Sequence, residues 1–365
     1  PVREQPMPDE QTTPEQGGTK SEEAPTADSS NEASASRRKP SSGRSLGWWA
    51  VCFVLVVLVL IIGGYGCLLY VNLNPDIGPD GFQVRRVAST ASNYLSSDPS
   101  VTSAEATGAE ANINGSSVTV DAHLKDGTSV EAAANLLAST RQKTLQEEPD
   151  YSGEFIISVS WTVKGSTIDI DVSCQRDPEA IRTDVKRALT PVGEAKTFTG
   201  NIDEYQGPTI DYGQVTTTPT NLTQPNVKKS SKTFTMNGWK VTSTSSGTGD
   251  SFAKAPFEQI IAAGRAGQNG VIVASPFGDG TSILLSGLVS ETGDVLSVDK
   301  AAAIVHGLAD CRSLGISRLM IDTAKQDSSS PSQLEFTCQD GQFTAHDDHS
   351  SDGREAEVLQ HAAAL

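Results

Sequence analysis

Hydrophobic residues form one uninterrupted run near the N-terminus, and beyond it they alternate with polar residues at regular spacings. No charged residue or histidine occurs from Ser45 to Pro75, and eleven of the twelve residues in Val51–Ile62 are Val, Leu, Ile or Phe. A helix needs about 20 apolar residues to cross the hydrocarbon core of a bilayer. The pattern therefore predicts one transmembrane helix over 46–71, which would be the contact of this chain with a lipid bilayer.

The residues that flank this run predict its direction. Basic residues precede it, whereas Arg85 is the first basic residue after it, so the positive-inside rule puts the N-terminus in the cytoplasm and residues from about Asn74 outside. A cleaved signal peptide is disfavoured, because its apolar region would be shorter and nearer the terminus. Lipid modification of Cys67 is disfavoured by the residues before it. The flanking residues are Arg37, Arg38, Lys39 and Arg44, with Trp48 and Trp49 at one end of the run and Tyr65 and Tyr70 at the other.

Beyond the apolar run, the spacing of apolar residues predicts a first unit with the order αββαββ, in a domain over 76–198. Helical spacing over 84–95 is followed by strands within 101–113 and 118–124. Thr128 and Glu131 form a predicted capping box for the next helix. Two alternating strands, 155–163 and 168–174, surround the turn at 164–166, and Asp177 caps an added helix.

The same order is predicted a second time, in a domain over 233–341. Gly, Pro and Thr are frequent in 199–232, which predicts a linker. A strand at Thr233–Val241 precedes a helix at Phe257, two strands, a long helix capped by Ser297, and two final strands. Residues 342–365 are predicted to be a polar tail. The expected fold class is thus α+β, with an N-terminal transmembrane helix followed by two sibling sheet-and-helix domains.

Each unit also resembles a known family. The first unit resembles BON domains in the order of its elements, which are a helix, Asp98-Pro99, a strand, a turn, a strand and an Ala-rich helix. The second unit resembles the same pattern in Gly280–Val289, followed by Ala301–Leu308 and Ser317–Asp322. The likeness covers roughly 60 residues of each unit and contains no diagnostic residue. It implies small α+β modules of the bacterial cell envelope, associated with membrane or lipid attachment, and it assigns no functional residues.

Composition and charge restrict the partners. The chain has 28 Lys or Arg and 45 Asp or Glu, a net charge of −17. Residues 1–45 have 6 basic and 8 acidic residues and few bulky apolar ones, which predicts a disordered cytoplasmic tail. The remaining 22 basic and 37 acidic residues lie after the apolar run, where the net charge is −15. Such an acidic protein lacks the clustered positive charge that nucleic-acid binding requires.

The five cysteines divide by compartment. Cys52 and Cys67 lie in the apolar run, whereas Cys174, Cys311 and Cys338 are predicted on the oxidising side, where disulfides persist. A Cys311–Cys338 bond is possible if the long helix of the second unit ends over its last strand. Three buried thiols are the open alternative.

Signals of chemistry are few. His346-Asp347-Asp348-His349 could bind a divalent metal, although no residues that would orient these ligands accompany them, and a solvated tail is favoured. Asp169 and Asp171 could form a catalytic carboxylate pair, but their alternation in a strand places them on a wet face.

The sequence therefore favours a single-pass envelope protein that binds or scaffolds an envelope protein or polymer, with no cofactor. A membrane-displayed enzyme and a passive spacer are the alternatives.

Overall fold

The computed structural model describes residues 53–61, 76, 78–219, 228–246, 252–253, 255–264, 270–289, 295–324, 333–346 and 353–365. The chain divides into two compact units, 1–63 and 64–365. Every element named below belongs to the second unit.

The predicted membrane span falls largely outside the described residues. Of 46–71, only 53–61 are described, and they are helical with exposed side chains. Among the described residues, no helix is both long and apolar enough to cross a membrane. The span stays a prediction, and so does the N-terminal tail over 1–45, which lies outside the described residues.

The described part of the second unit contains six helices and a thirteen-stranded sheet. The helices are α1 (Pro79–Ser97), α2 (Val130–Glu147), α3 (Pro178–Ala188), α4 (Phe257–Gly264), α5 (Val298–Gly307) and α6 (Glu355–Ala363). The strands are β1 (Val101–Asn112), β2 (Gly115–Leu124), β3 (Glu154–Val163), β4 (Ser166–Ser173), β5 (Thr197–Ile202), β6 (Gln206–Val215), β7 (Lys229–Met236), β8 (Trp239–Thr244), β9 (Val271–Phe277), β10 (Gly280–Ser286), β11 (Ile316–Asp322), β12 (Gln333–Gln339) and β13 (Gln342–Ala345).

The strands lie in the sheet in the order in which they occur in the chain. From β1 to β12, antiparallel hairpins alternate with parallel neighbours, and β13 adds a last antiparallel strand. A parallel pair needs a crossover of a dozen or more residues, usually a helix. Helices α2, α3, α4 and α5 supply four of the five crossovers, and the fifth, from β6 to β7, contains no helix in its described residues.

Tight turns fix the register of three hairpins. Lys164-Gly165, Asn237-Gly238 and Asp340-Gly341 each have two consecutive residues with positive φ. That geometry is the type I′ turn, whose twist matches the twist of paired strands. Glycine is required at the second position, because side chains are strained there.

One face of the sheet forms the core with the helices. Buried apolar residues alternate along the strands and join the buried stripes of the helices in one cluster. Helices α1, α2 and α3 contact one another in sequence, as do α4, α5 and α6. The predicted caps Asp177 and Ser297 each accept a backbone hydrogen bond, whereas α2 is capped by Ser129 rather than by the predicted Thr128.

The structure is a mixed α+β fold, as predicted, but it has one large sheet where the sequence suggested two separate domains. Both predicted αββαββ runs are present, over α1–β4 and α4–β12. Between them, the segment predicted as a linker, 199–232, contains most of β5, all of β6 and the start of β7. Its Gly and Pro residues suggested a loop, yet Ile210 and Tyr212 are buried in the sheet.

Two further segments differ from the sequence prediction. Thr233–Val241 is a hairpin rather than one strand, because the Asn237-Gly238 turn divides it into β7 and β8. The predicted polar tail over 342–365 contains β13 and α6, and Val358 and Ala362 of α6 are buried in the core. The apolar stripe of α6 is short, which is why composition alone concealed it.

Cys311 and Cys338 form a disulfide with their Cα atoms 5.9 Å apart. Cys311 follows the end of α5, and Cys338 lies in β12, so the bond joins the helical layer to the sheet. Cys174 is a free and fully buried thiol. Burial raises the pKa of Cys174 to about 12, which keeps it in the unreactive thiol form.

We expect the double substitution Cys311→Ala and Cys338→Ala to lower the free energy of unfolding by about 2–4 kcal/mol, because the bond closes a loop between residues 27 positions apart. Urea denaturation measures the change. A reducing agent should lower the stability of the wild type to that of the variant and leave the variant unchanged. Equal stability of the reduced and oxidised wild type would contradict this role.

Candidate functional site: an acidic face of the sheet

Over β1–β8, the face of the sheet opposite the helices is largely polar, whereas Val273, Leu284 and Met320 lie on the same face in β9–β11. Its residues occupy the strand positions between the buried ones, and strand pairing aligns them in rows. One row runs from His123 through Ser160, Asp169, Thr199 and Thr209 to Ser231. Neighbouring strands are about 4.8 Å apart, so each side chain in a row is close to the next.

Charge on this face is uneven. Strands β1–β6 contain seven acidic residues and no Lys or Arg. All seven lie on the polar face. Each one is paired across strands with another residue of that face, or alternates along its own strand with buried residues. We call this surface the acidic face; its carboxylates are Glu105, Glu110, Asp121, Glu154, Asp169, Asp171 and Asp211.

Hydroxyl groups fill the positions between these carboxylates. Ser158 donates to Asp171 Oδ1 at 2.6 Å, and Thr233 of β7 donates to Asp211 Oδ1 at 3.0 Å. Asp169 is exposed to solvent. The acidic face is therefore a surface of oriented hydrogen-bond acceptors with negative charge.

His123 and Ser160 form the one histidine–serine contact on the acidic face among the described residues. His123 Nδ1 lies 2.5 Å from Ser160 Oγ, and Asp169 is aligned with Ser160 on the other side. This order places the serine between the histidine and the acid, whereas a catalytic triad places the histidine in the middle. Strand β3 is paired on both sides, so the backbone N–H groups around Ser160 belong to the sheet and cannot form an oxyanion hole.

The carboxylate pair considered from the sequence is part of the same surface. Asp169 and Asp171 alternate outward from β4 between the buried residues Ile168, Ile170 and Val172. They therefore lie on the solvent-exposed face of the sheet, as the alternation predicted. They lie on a strand surface rather than in a cleft that would exclude water from a reaction.

The sequence-predicted metal ligands are only partly described. His346 Nε2 lies 3.4 Å from Glu335 Oε1, and its Nδ1 lies 3.3 Å from Thr337 Oγ1. His349 lies outside the described residues. Within the described ranges, no group of three or more His, Cys, Asp or Glu side chains could hold a metal ion.

Sequence reasoning missed the acidic face as a unit. The alternation in β4 was visible, but the carboxylates come from five strands spread over 105–211. Only the strand order brings them together. A signal was present nonetheless, since the strand segments of this half lack Lys and Arg entirely.

Comparison with protein families, with characterised proteins and with solved structures finds no match to this chain. The resemblance to BON domains stays a prediction from the sequence.

We expect no reaction of Ser160 with a fluorophosphonate that labels activated serines, because the hydroxyl has no oxyanion hole beside it. Mass spectrometry of the treated protein measures the labelling. Labelling of Ser160 that disappears in the His123→Ala variant would contradict this prediction and would favour a hydrolase.

Proposed function

We propose that the chain is a membrane-tethered, extracytoplasmic binding or scaffold protein of the bacterial cell envelope, and that its acidic face binds a partner with a complementary positive surface. The observation that carries the proposal is the set of seven carboxylates, without Lys or Arg, on β1–β6. Complementary charge increases the rate of encounter and selects against partners of the same sign.

The geometry of the acidic face supports binding over catalysis. Its side chains lie on paired strands, which hold them at fixed spacings but leave them open to water. Electrostatic catalysis needs donors or charges preorganised in a site that excludes water. Recognition of a polar or cationic partner needs only a broad complementary surface, and a paired sheet supplies one.

The nature of the partner follows from the side chains. Carboxylates and hydroxyls accept hydrogen bonds from ammonium and guanidinium groups, and seven negative charges repel anionic polymers and lipid head groups. We therefore propose a protein partner that presents Lys or Arg side chains. The tether in this proposal is the apolar run at 46–71, with the sheet outside the membrane.

We expect Asp169→Asn with Asp171→Asn to weaken binding of a synthetic Lys-Gly repeat peptide roughly three- to tenfold, because exposed ion pairs contribute about 0.2–1 kcal/mol each. Asparagine keeps the size and an acceptor oxygen, so the sheet is preserved. Calorimetry at low and moderate salt measures the affinity, and raised salt should reduce the difference.

A matched control removes the same net charge elsewhere. Asp150→Asn with Glu357→Gln changes two exposed acidic residues, one in the turn before β3 and one in α6. This control should bind the peptide as the wild type does. Equal weakening in both variants would mean that peptide binding depends only on the net charge of the protein, which would contradict specific binding by the acidic face.

The proposed orientation has its own test. Protease added to intact cells or protoplasts should degrade the sheet over 78–365 and spare the N-terminal tail, because the basic residues before 46–71 favour a cytoplasmic N-terminus. Immunoblots with tags at each end measure the fragments. Protection of the C-terminal part would contradict the orientation, and release of the chain by carbonate washing would contradict the span.

A further inference from the structure

The two edges of the sheet differ in how they are protected. An edge strand presents unpaired backbone N–H and C=O groups, and proteins usually shorten, cover or charge such strands. The edge strand β13 has four residues and contacts α6, and Glu355 of α6 accepts a hydrogen bond from the Glu335 backbone N–H just beyond it. The edge strand β1 has twelve residues, contains no Lys, Arg or Pro, and pairs with β2 alone among the described strands.

Strand pairing shows which backbone groups of β1 face its free edge. In an antiparallel pair, successive residues direct their N–H and C=O groups alternately to the partner strand and away from it. Val101, which is paired with Leu124, points away from β2, because its N–H donates to Asp98 O at 3.1 Å. The β1 residues paired with every second residue of β2 before Leu124 point the same way; they are Ala104, Ala106, Ala109 and Ala111.

The middle of this edge is open to solvent. Ala106 is exposed although it lies on the helical side of the sheet, so α1 leaves this part of β1 uncovered. Ser96 of α1 donates to Ala104 O at 3.4 Å, and Ala111 is buried, so these two positions bound the open stretch. Within the described part of the chain, the outward backbone groups of Ala106 and Ala109 are therefore available to another strand.

One register shift lies within the open stretch. Between Ala106 and Gly108, β1 has one residue more than β2, and this bulge leaves Thr107 outside the regular pairing. β2 pairs with β1 on both sides of the bulge. A strand on the free edge can pair in the same way.

The side chains beside the open stretch favour a basic strand. Glu105 and Glu110 are exposed on the acidic face, with Gly108 between them. Every second residue of an added strand would lie on that face, opposite these positions. Lys or Arg there would pair with the glutamates, whereas a second copy of β1 that aligns Ala106 with Ala109 would place Glu105 opposite Glu110. Like charges directly opposite each other destabilise a strand pair.

We propose that β1 binds an extended segment of a partner protein as an additional edge strand, with Lys or Arg at alternate positions of that segment. Hydrogen bonds to the backbone of Ala106 and Ala109 supply affinity, and Glu105 and Glu110 supply specificity for basic side chains. This inference rests on the proposed function, because it specifies how a basic partner reaches the acidic face.

The test compares three peptides of alternating Thr and Lys with the full chain in detergent. One peptide is unmodified, one is N-methylated at every Thr, and one is N-methylated at every Lys. Methylation keeps every charge but removes the N–H donors along one edge of the peptide. Calorimetry should show binding at least tenfold weaker for the peptide whose methyl groups face β1 and nearly unchanged binding for the other.

Hydrogen exchange measured by mass spectrometry locates the bound peptide. The unmodified peptide should slow amide exchange in residues 104–110 and leave β13 unchanged, because only β1 gains backbone hydrogen bonds. Glu105→Gln with Glu110→Gln should weaken binding at least threefold. The matched control Asp150→Asn with Glu357→Gln should bind the peptide as the wild type does.

The outcomes separate this inference from the proposed function. Equal binding of all three peptides, or equal weakening by both methylation patterns, would overturn strand addition, while continued weakening by Asp169→Asn with Asp171→Asn would leave the proposed function standing. Absence of binding by both the Thr-Lys and the Lys-Gly peptides would contradict both proposals. Protection of 104–110 in the free protein that disappears on dilution would show that a second copy occupies the edge, which would overturn the choice of a basic partner.

Discussion

Each parallel pair of strands requires a connection that returns the chain to the end where the previous strand began, and this requirement controls the whole sheet. The chain contains five such connections between successive hairpins, and four of them contain an amphipathic helix. The helices join their buried stripes to the same strand face, so that face becomes the core. Along β1–β6 the opposite face is open to water, and its polar side chains follow from that exposure.

The two faces consequently have different electrostatics. On the open face, seven carboxylates of β1–β6 remain hydrated and repel one another only weakly through water. On the covered face, a charge must be compensated locally, as Asp184 is by Lys228 and Arg176. Lys232 of β7 is also buried on this face, where it is paired with Ile210 and its Nζ lies 4.3 Å from the centre of the Phe252 ring.

The C-terminal end of the sheet is held by several unlike interactions. The Cys311–Cys338 bond ties the segment after α5 to β12, while α6 packs on α5 and buries Val358 and Ala362. Arg318 lies 2.5 Å from the buried Glu335 carboxylate on the polar side of β11 and β12. These contacts integrate residues 333–346 and 353–365 into the same unit as the N-terminal strands, so the described C-terminal residues pack on the sheet rather than form a tail.

Local patterns in the sequence determined most of the secondary structure, because alternation, helical spacing and caps such as Asp177 and Ser297 act within a few residues. The same patterns placed Asp169 and Asp171 on the wet face. Two separate domains and a linker were the wrong inference, because hydrophobic period does not reveal which strand pairs with which, and β6 and β7 join both halves. The acidic face depends on that pairing, so only the tertiary structure could place Glu105 and Asp171 on one surface or place Lys232 among core residues.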